Sequence, residues 1–188
     1  MCGLLRKWSC LCDHIIALLR GINVGGNNKM PMADLRAMLE GLGFVGVQTY
    51  IQSGNAIFAG EGAAGDLQAK IEAAITTKFG FSVPVMVVSA DDLNAAIAAN
   101  PFVDVIDNPA KSHLGFMSAA PTADAIALLK TKPHSGEQWK VRGRIFYLHT
   151  PQGMGTSKLF PAIERTLKVA VTFRNWRTVE VLAGMAGG

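Results

Sequence analysis

The sequence lacks the long apolar runs and the paired cysteines that would assign it to a membrane-spanning or a disulfide-rich class. No run approaches the roughly 20 apolar residues that a membrane-spanning helix needs. The three cysteines, Cys2, Cys10 and Cys12, all precede His14 and form neither a disulfide framework nor a CxxC zinc pair. We therefore expect a soluble protein of the reducing cytoplasm, with no membrane partner.

Residues that would hold a metal or act as a nucleophile are also scarce. The four histidines are scattered without ligand spacing, and no GxSxG elbow occurs. The adjacent carboxylates Asp91 and Asp92 are typical of a helix N-terminus and form no acid–base pair. The sequence therefore predicts no metal site and no cofactor, and it identifies no catalytic residue.

The charge balance is mildly basic. Eighteen Lys and Arg residues against fourteen Asp and Glu residues give a net charge of +4 and a pI near 9.1. This balance favours anionic partners such as phosphates or nucleic acid, although a net charge of this size also serves solubility alone. The chain has no block of consecutive basic residues, so composition permits an anionic ligand without identifying one.

Three regions follow one another along the chain. Segment 1–13 carries Arg6 and Lys7 in its middle and lacks the apolar region of a secretory signal, so we predict a disordered or loosely docked extension. Patterned sequence begins at His14 or Ile15 and changes character at the Pro- and Asp-containing connection 100–111. We predict one subdomain over 14–100 and a second over 101–188.

The first subdomain has the order strand-helix-strand-strand-helix-strand. The continuous apolar run Ile15–Leu19 predicts a strand buried on both faces, and Gly43 and Gly80 offer helix stops. Pro31 fits the first helical position. The predicted elements are a strand 15–19, a helix 31–42, a hairpin of strands 47–51 and 56–59, a helix 67–79, a strand 83–88 and a connecting helix 91–99 capped by Ser89 or Asp91.

The second subdomain repeats this order. Its predicted elements are a strand 113–117, a helix 122–129, a hairpin of strands 138–141 and 144–149, a helix around 159–167, a strand 169–173 and a closing helix from Trp176 that Asn175 caps. The order βαββαβ matches the ferredoxin-like unit. We predict an α+β fold of two ferredoxin-like subdomains in tandem, with extra connecting and C-terminal helices. Each sheet has one face to cover, either with the other half or with the helix that follows.

Strand direction predicts which loops meet. In a βαββαβ unit the loop 21–29 after the first strand lies at the same end as the hairpin turn 52–55, together with Arg20. In the second half the loop 153–158 lies beside 174–176. Both clusters combine glycines, small polar side chains, a cation and a helix N-terminus, which together can bind an anion. The residues predicted to bind phosphate or another anion are Arg20, Asn23, Gly25, Gly26, Asn27, Asn28, Lys29, Gln52, Ser53, Asn55, Ser157, Lys158, Arg174 and Asn175.

The same residues also fit a purely structural explanation. Glycines and asparagines serve positive φ angles in tight turns, and Ser157 or Thr156 can cap a helix. Pro161 requires that this helix begin after Ser157 and Lys158, which then stay in the loop. Three functions stay open: a binding module for a phosphate-bearing ligand (a nucleotide or a nucleic acid backbone), an enzyme on a small phosphorylated or carboxylated substrate, and a structural or protein-interaction module. The sequence does not predict the oligomeric state.

Eight short segments carry a family pattern. They are IALLRGINVGGNNK at 16–29, PMADLR at 31–36, YIQSGN at 50–55, FGFSVP at 79–84, NPF at 100–102, YLH at 147–149, GTSKL at 155–159 and RNW at 174–176. Together they resemble DUF1697, a bacterial domain of unknown function. The resemblance implies paired ferredoxin-like subdomains and brings no activity, cofactor or catalytic residue. Segment 1–13 and Pro161 depart from the family pattern.

Overall fold

A computed structural model describes residues 14–103 and 108–187 of the chain. Within these residues the chain forms two four-stranded antiparallel sheets and six α-helices. None of the six is both long enough and apolar enough to cross a membrane. The predicted extension 1–13 lies outside the described residues.

The first half forms a ferredoxin-like unit. Its elements are β1 (His14–Leu19), α1 (Met32–Gly41), β2 (Val45–Tyr50), β3 (Asn55–Ala59), α2 (Ala64–Phe79) and β4 (Val85–Ser89), followed by α3 (Ala90–Ala98). The strand order is β2-β3-β1-β4, and all neighbours are antiparallel. Gly80 ends α2 at φ +76°, and Ser89 caps α3 by accepting from the Asp92 N–H at 3.0 Å. Pro31 immediately precedes α1, whereas the sequence predicted that Pro31 would be the first residue of this helix.

The second half repeats the unit. Its elements are β5 (Ser112–Met117), α4 (Ala123–Lys130), β6 (Gln138–Arg142), β7 (Ile145–His149), α5 (Phe160–Leu167) and β8 (Val171–Asn175), followed by α6 (Trp176–Ala186). The strand order is β6-β7-β5-β8. A short 3-10 helix, Met154–Thr156, lies between β7 and α5. Because α5 begins at Phe160, Pro161 is tolerated in its first turn and Lys158 stays in the loop. The predicted fold of two tandem ferredoxin-like subdomains is confirmed.

Three apolar cores hold these layers together. Leu35 of α1 and Ile71 of α2 pack on the outer face of the first sheet. Ile163 of α5 packs on the outer face of the second. The inner faces share the third core, which contains Leu18, Leu114 and side chains of both α3 and α6. Each inner face is therefore covered by the opposite half together with the helices that follow the sheets.

The backbone repeats between the halves although the sequence does not. The Leu19 N–H at the end of β1 donates to the Gly54 carbonyl at 2.8 Å, and the Met117 N–H at the end of β5 donates to the Arg144 carbonyl at 2.9 Å. Leu19 and Met117 are therefore equivalent positions, and so are Gly54 and Arg144.

The last strand of each half follows the same register. Leu19 pairs with Val85 of β4, and Met117 pairs with Val171 of β8. Counted from these pairs, the equivalent positions are Met86 and Thr172, Val88 and Arg174, and Ser89 and Asn175. The last pair cap α3 and α6 respectively, so the equivalence extends to helix capping.

Candidate ligand-binding site

Arg174 of β8 reaches from the second half into the first. Its strand partner is Leu114, which belongs to the shared core. Its Nη2 donates to the Leu19 carbonyl at 2.6 Å and to the Ser53 carbonyl at 3.2 Å, and its Nε donates to Oδ1 of Asn55. Arg174 therefore joins the two loop clusters that the sequence predicted in separate halves.

The charge of Arg174 meets only neutral dipoles among its hydrogen-bond partners in the described chain. Burial lowers its pKa to about 10, because the guanidinium loses hydration that carbonyl groups replace only in part. At neutral pH the group is still protonated. The interface between the halves thus holds a partly desolvated positive charge that no carboxylate of residues 14–103 and 108–187 pairs with.

A cavity of about 460 Å³ opens beside this charge, lined by residues of both halves. Its volume falls within the range of small-molecule sites. The first half contributes Arg20 and Ser53, the second contributes Thr172, Arg174 and Glu164, and apolar side chains complete the wall. We term this cavity the arginine cleft.

At the edge of the arginine cleft, Arg20 and Glu164 form a two-pronged ion pair across the halves. Arg20 Nη1 donates to Oε1 of Glu164, and Nη2 donates to Oε2 at 2.6 Å. Their side chains are 40% and 39% exposed, so water screens the pair and its net contribution to stability is small. With Arg174 also in the wall, two cations face one carboxylate, and one positive charge is in excess.

Thr172 adds an unsatisfied polar group to the same wall. Its residue is 1% exposed, and Oγ1 has no hydrogen-bond partner within the described chain. A buried hydroxyl without a partner costs about 1–3 kcal/mol. Because Thr172 and Arg174 are two residues apart on β8, they lie on the same face of the strand. The wall of the arginine cleft therefore contains a hydroxyl that is shielded from solvent and has no described partner, beside a partly buried cation.

The turn at residues 52–55, whose carbonyl groups accept from Arg174, packs closely against the end of β1. Asn55 is fully buried, and its Nδ2 donates to the Tyr50 carbonyl at 3.0 Å and to Ser53 Oγ at 3.1 Å. Gly54 has φ +77°, and a Cβ there would lie 2.7 Å from the Cβ of Leu19. Glycine is thus required at this position both by conformation and by space.

The loop after β1 uses its asparagines to hold its own shape. Asn23 Nδ2 donates to the carbonyls of Met30 and Gln52, each at 2.9 Å, and its Oδ1 accepts from the Met30 N–H at 2.8 Å. Asn28 Nδ2 donates to the Gly21 carbonyl at 2.9 Å. These side chains stabilise the base of the loop, and binding of an anion by them stays a prediction.

Most residues at the tip of this loop are absent from the lining of the arginine cleft. Gly25 and Gly26 have φ values of +58° and +82°, and Asn27 donates its N–H to the Val24 carbonyl at 3.0 Å to close the turn. Lys29 is exposed. Of these residues only Val24 lines the cleft. The glycines serve the turn conformation, and a role in binding stays a prediction for the tip as well.

Ser157 in the second cluster contacts a carboxylate, Glu137, that no pattern in the sequence singles out. Its Oγ donates to Oε1 of Glu137 and accepts from the Phe160 N–H at 3.0 Å. Burial raises the pKa of Glu137, but hydrogen bonds from Ser157 and from the N–H groups of Ser135 and Leu159 outweigh it and hold the pKa at about 2. Glu137 is thus a stable anion that organises the start of α5.

Lys158 and Arg174, which the sequence predicted to be neighbours, line different cavities. Lys158 lines a groove of about 510 Å³ beside α4 and α5, which we term the basic groove. Its charged residues are Lys132, Lys158, Arg165 and Lys168, with no carboxylate in the part of its wall that the structure describes. Asn175 caps α6 by accepting from the Thr178 N–H at 2.9 Å.

A buried serine–histidine pair is the other polar feature that sequence reasoning missed. Ser112 Oγ lies 3.1 Å from Nδ1 of His149, which directly faces it on β7. The two residues are 4% and 7% exposed, so the pair cross-links two core strands. Across 14–103 and 108–187, no three His, Cys, Asp or Glu side chains form a group that could hold a metal ion.

The fold and the cleft define an α+β protein with two tandem ferredoxin-like subdomains and a polar cavity between them. A family model for a protein of unknown function, DUF1697, matches residues 13–147. The chain therefore belongs to this family, as its motifs predicted. The match ends before Thr172 and Arg174.

One solved structure extends the comparison to the whole fold. Conserved bacterial protein SP0830 from Streptococcus pneumoniae is 25% identical in sequence and superposes with a TM-score of 0.75. The similarity covers 93% of this chain and 98% of that chain. No curated protein matches the sequence significantly.

Proposed function

We propose that the protein binds a small phosphate-bearing ligand in the arginine cleft. The observation that carries this proposal is the presence of a partly buried cation, Arg174, and an unpartnered hydroxyl, that of Thr172, in the wall of one cavity. A phosphate oxygen accepts hydrogen bonds, and its negative charge supplies the counter-ion that the guanidinium lacks. A phosphate at this wall would thus neutralise the guanidinium and, once the side chain of Thr172 turns toward the cleft, accept a hydrogen bond from its hydroxyl.

The rest of the wall fits an organic phosphate better than a bare ion. Arg20 is half exposed and can exchange part of its ion pair with Glu164 for a ligand oxygen. The apolar side chains of Ile22 and Phe160 line the same cavity and offer surface to a base or a sugar carbon frame. These features favour a nucleotide or a sugar phosphate.

Titration calorimetry with inorganic phosphate, nucleoside monophosphates and sugar phosphates tests the proposal. Thr172→Val keeps the side-chain shape and removes the hydroxyl, so we expect at least tenfold weaker binding with unchanged or higher thermal stability. Lys78→Gln, an exposed cation of α2 outside the cleft wall, is the control and should bind as the unaltered protein does. Absence of binding by every compound, or equal affinity of Thr172→Val, would refute the proposal.

Binding is favoured over catalysis by the groups in the wall. In the described lining of the arginine cleft the one carboxylate is Glu164, and both its oxygens accept from Arg20. A general base must be free to accept a proton from the substrate. No other aspartate, glutamate or histidine lines this part of the described chain.

The basic groove favours a second candidate function, binding of a nucleic acid backbone. Four cations line it, with no carboxylate among its described lining residues, and phosphate contacts of this kind give affinity that falls steeply with salt. Fluorescence anisotropy with a single-stranded oligonucleotide should show such salt dependence. The double variant Lys158→Gln, Arg165→Gln should reduce the salt slope, whereas Lys70→Gln on the first half should not. Binding that is indifferent to both salt and the double variant would exclude this function.

A further inference from the structure

A second cavity lies where the internal repeat places the counterpart of the arginine cleft. Its volume is about 470 Å³. In the arginine cleft, Thr172 and Arg174 of β8 stand near the end of β1. In the second cavity, Met86 and Val88 of β4 occupy the equivalent positions, near the end of β5. We term it the repeat cavity.

The inner wall of the repeat cavity is apolar. Met86 and Phe116 are each 4% exposed, and Tyr147 is 2% exposed. The Tyr147 hydroxyl donates to the Ala96 carbonyl at 2.9 Å, so its polar atom has a partner. Unlike the arginine cleft, this wall offers a ligand apolar surface with no unpaired side-chain hydroxyl in its described part.

Two arginines from the β6–β7 hairpin stand at the rim. Arg144 Nε donates to the Met117 carbonyl at 3.0 Å, which is the equivalent of the Leu19 carbonyl that Arg174 binds in the other half. This bond fixes the guanidinium while its two Nη groups donate to no other described residue. Arg142 is exposed and also lines the cavity.

The charges at this rim favour an anion. Asp92 is the one carboxylate in the described lining, against Arg142 and Arg144, which leaves one positive charge in excess. Two guanidinium groups can each form paired N–H···O bonds with a carboxylate. An apolar wall with a few converging polar groups is typical of a site for a small organic ligand.

We infer that the repeat cavity binds a small amphipathic carboxylate, with its apolar body against Met86, Phe116 and Tyr147 and its carboxylate at Arg142 and Arg144. The inference concerns a second site with a different ligand class, and it does not depend on phosphate binding in the arginine cleft. The two cavities thus use one scaffold for two ligands.

A chain-length series of carboxylates tests the inference. Titration calorimetry with hexanoate, octanoate and decanoate should show affinity that rises severalfold with each added methylene, because each one leaves water for the apolar wall. Octan-1-ol has the same number of carbon atoms as octanoate but no charge, and it should bind at least tenfold more weakly. Affinity that is independent of chain length, or equal for octanoate and octan-1-ol, would overturn the inference.

Variants locate the binding. The double variant Arg142→Gln, Arg144→Gln should weaken decanoate binding at least tenfold while circular dichroism stays unchanged and Tm falls only slightly, since both side chains are exposed. Ala95→Phe, at an exposed α3 position in the cavity wall, should block binding by filling space. Arg177→Gln is the matched control, and Thr172→Val reports on the arginine cleft. Both should leave decanoate affinity unchanged, and a loss in either that equals the loss in the double variant would overturn the assignment.

Discussion

β4 and β8 close the two sheets at equivalent edges, yet they turn different chemistry toward the opposite half. β4 presents Met86 and Val88, and β8 presents Thr172 and Arg174 at the same two positions. Both strands then continue into a helix capped by their final residue. The strand order and register of the repeat are the same in both halves, and at these equivalent strand positions the two cavities differ in their side chains.

The two halves also differ in the donor to the carbonyl at the end of their first strand, which is Leu19 in β1 and Met117 in β5. The Leu19 carbonyl accepts from Arg174, which belongs to the other half, whereas the Met117 carbonyl accepts from Arg144 of its own half. Arg174 therefore ties the halves together and Arg144 does not. The largest expected effects on stability follow from this asymmetry.

Arg174→Leu should destabilise the protein by about 3–5 kcal/mol, since it leaves Asn55 Oδ1 and the Leu19 carbonyl buried without a donor. Arg144→Leu removes the equivalent bond at an exposed site and should cost less than about 1 kcal/mol. Equilibrium unfolding in urea measures both. Similar losses for the two variants would contradict the asymmetry between the halves.

Gly54→Ala should cost about 2–4 kcal/mol, because a Cβ would lie 2.7 Å from Leu19 and the backbone has positive φ. Gly25→Ala is the matched control, since it has φ +58° and no atom within 4 Å of the added Cβ, so only about 1 kcal/mol of backbone strain is expected. Equilibrium unfolding in urea measures the free energy of unfolding of both variants. If the two variants lose equal stability, the close approach at Gly54 has no energetic role.

His113 should make the second half sensitive to acid. Burial lowers its pKa from 6.5 to about 4, and the equivalent residue of the first half, Ile15, cannot titrate. Between these two pH values the unfolded chain binds a proton that the folded chain does not, so stability falls as the pH falls, by about 2 kcal/mol from pH 7 to pH 5.

Urea unfolding of His113→Leu at pH 7 and pH 5 checks this prediction. The variant should lose most of the pH dependence in that window, whereas the exposed control His134→Gln should retain it. Unchanged acid sensitivity in His113→Leu would assign the effect to other groups.

Glu164→Gln should change stability by less than about 1 kcal/mol, because the ion pair with Arg20 is partly exposed and screened. The same variant frees Arg20 and raises the excess charge of the arginine cleft, so phosphate affinity should increase. Titration calorimetry of Glu164→Gln and of the exposed control Glu40→Gln measures the affinity for phosphate. Urea unfolding of the same two variants measures the change in stability. Weaker phosphate binding in Glu164→Gln would contradict the proposed role of Arg20.

Local signals in the sequence predicted the scaffold. Apolar runs and helical spacing gave the element order, and the caps Ser89 and Asn175 were recognisable because each bonds to an N–H only three residues away. Strand direction also predicted that Arg20, Ser53 and Asn55 share an end of the first sheet. These features depend on short stretches of chain or on the topology of one half.

The composition of the arginine cleft was beyond sequence reasoning. Arg174 bonds Asn55 across 119 residues and the Leu19 carbonyl across 155 residues, and no local pattern reports how two halves dock. The sequence therefore grouped Arg174 with Lys158. Thr172 carried no signal either, because a threonine in a strand is ordinary and only its missing partner marks it.

The guanidinium signal of Arg174 in nitrogen–proton NMR spectra offers the most direct test of the arginine cleft. The account predicts that inorganic phosphate and the best phosphate ester from calorimetry shift the Nε–H resonance of Arg174 and the amide resonance of Thr172, while the signals of Arg144 stay in place. If those two resonances are unmoved at saturating ligand, or if only amides around Lys158 and Lys168 respond, the arginine cleft is not the phosphate site.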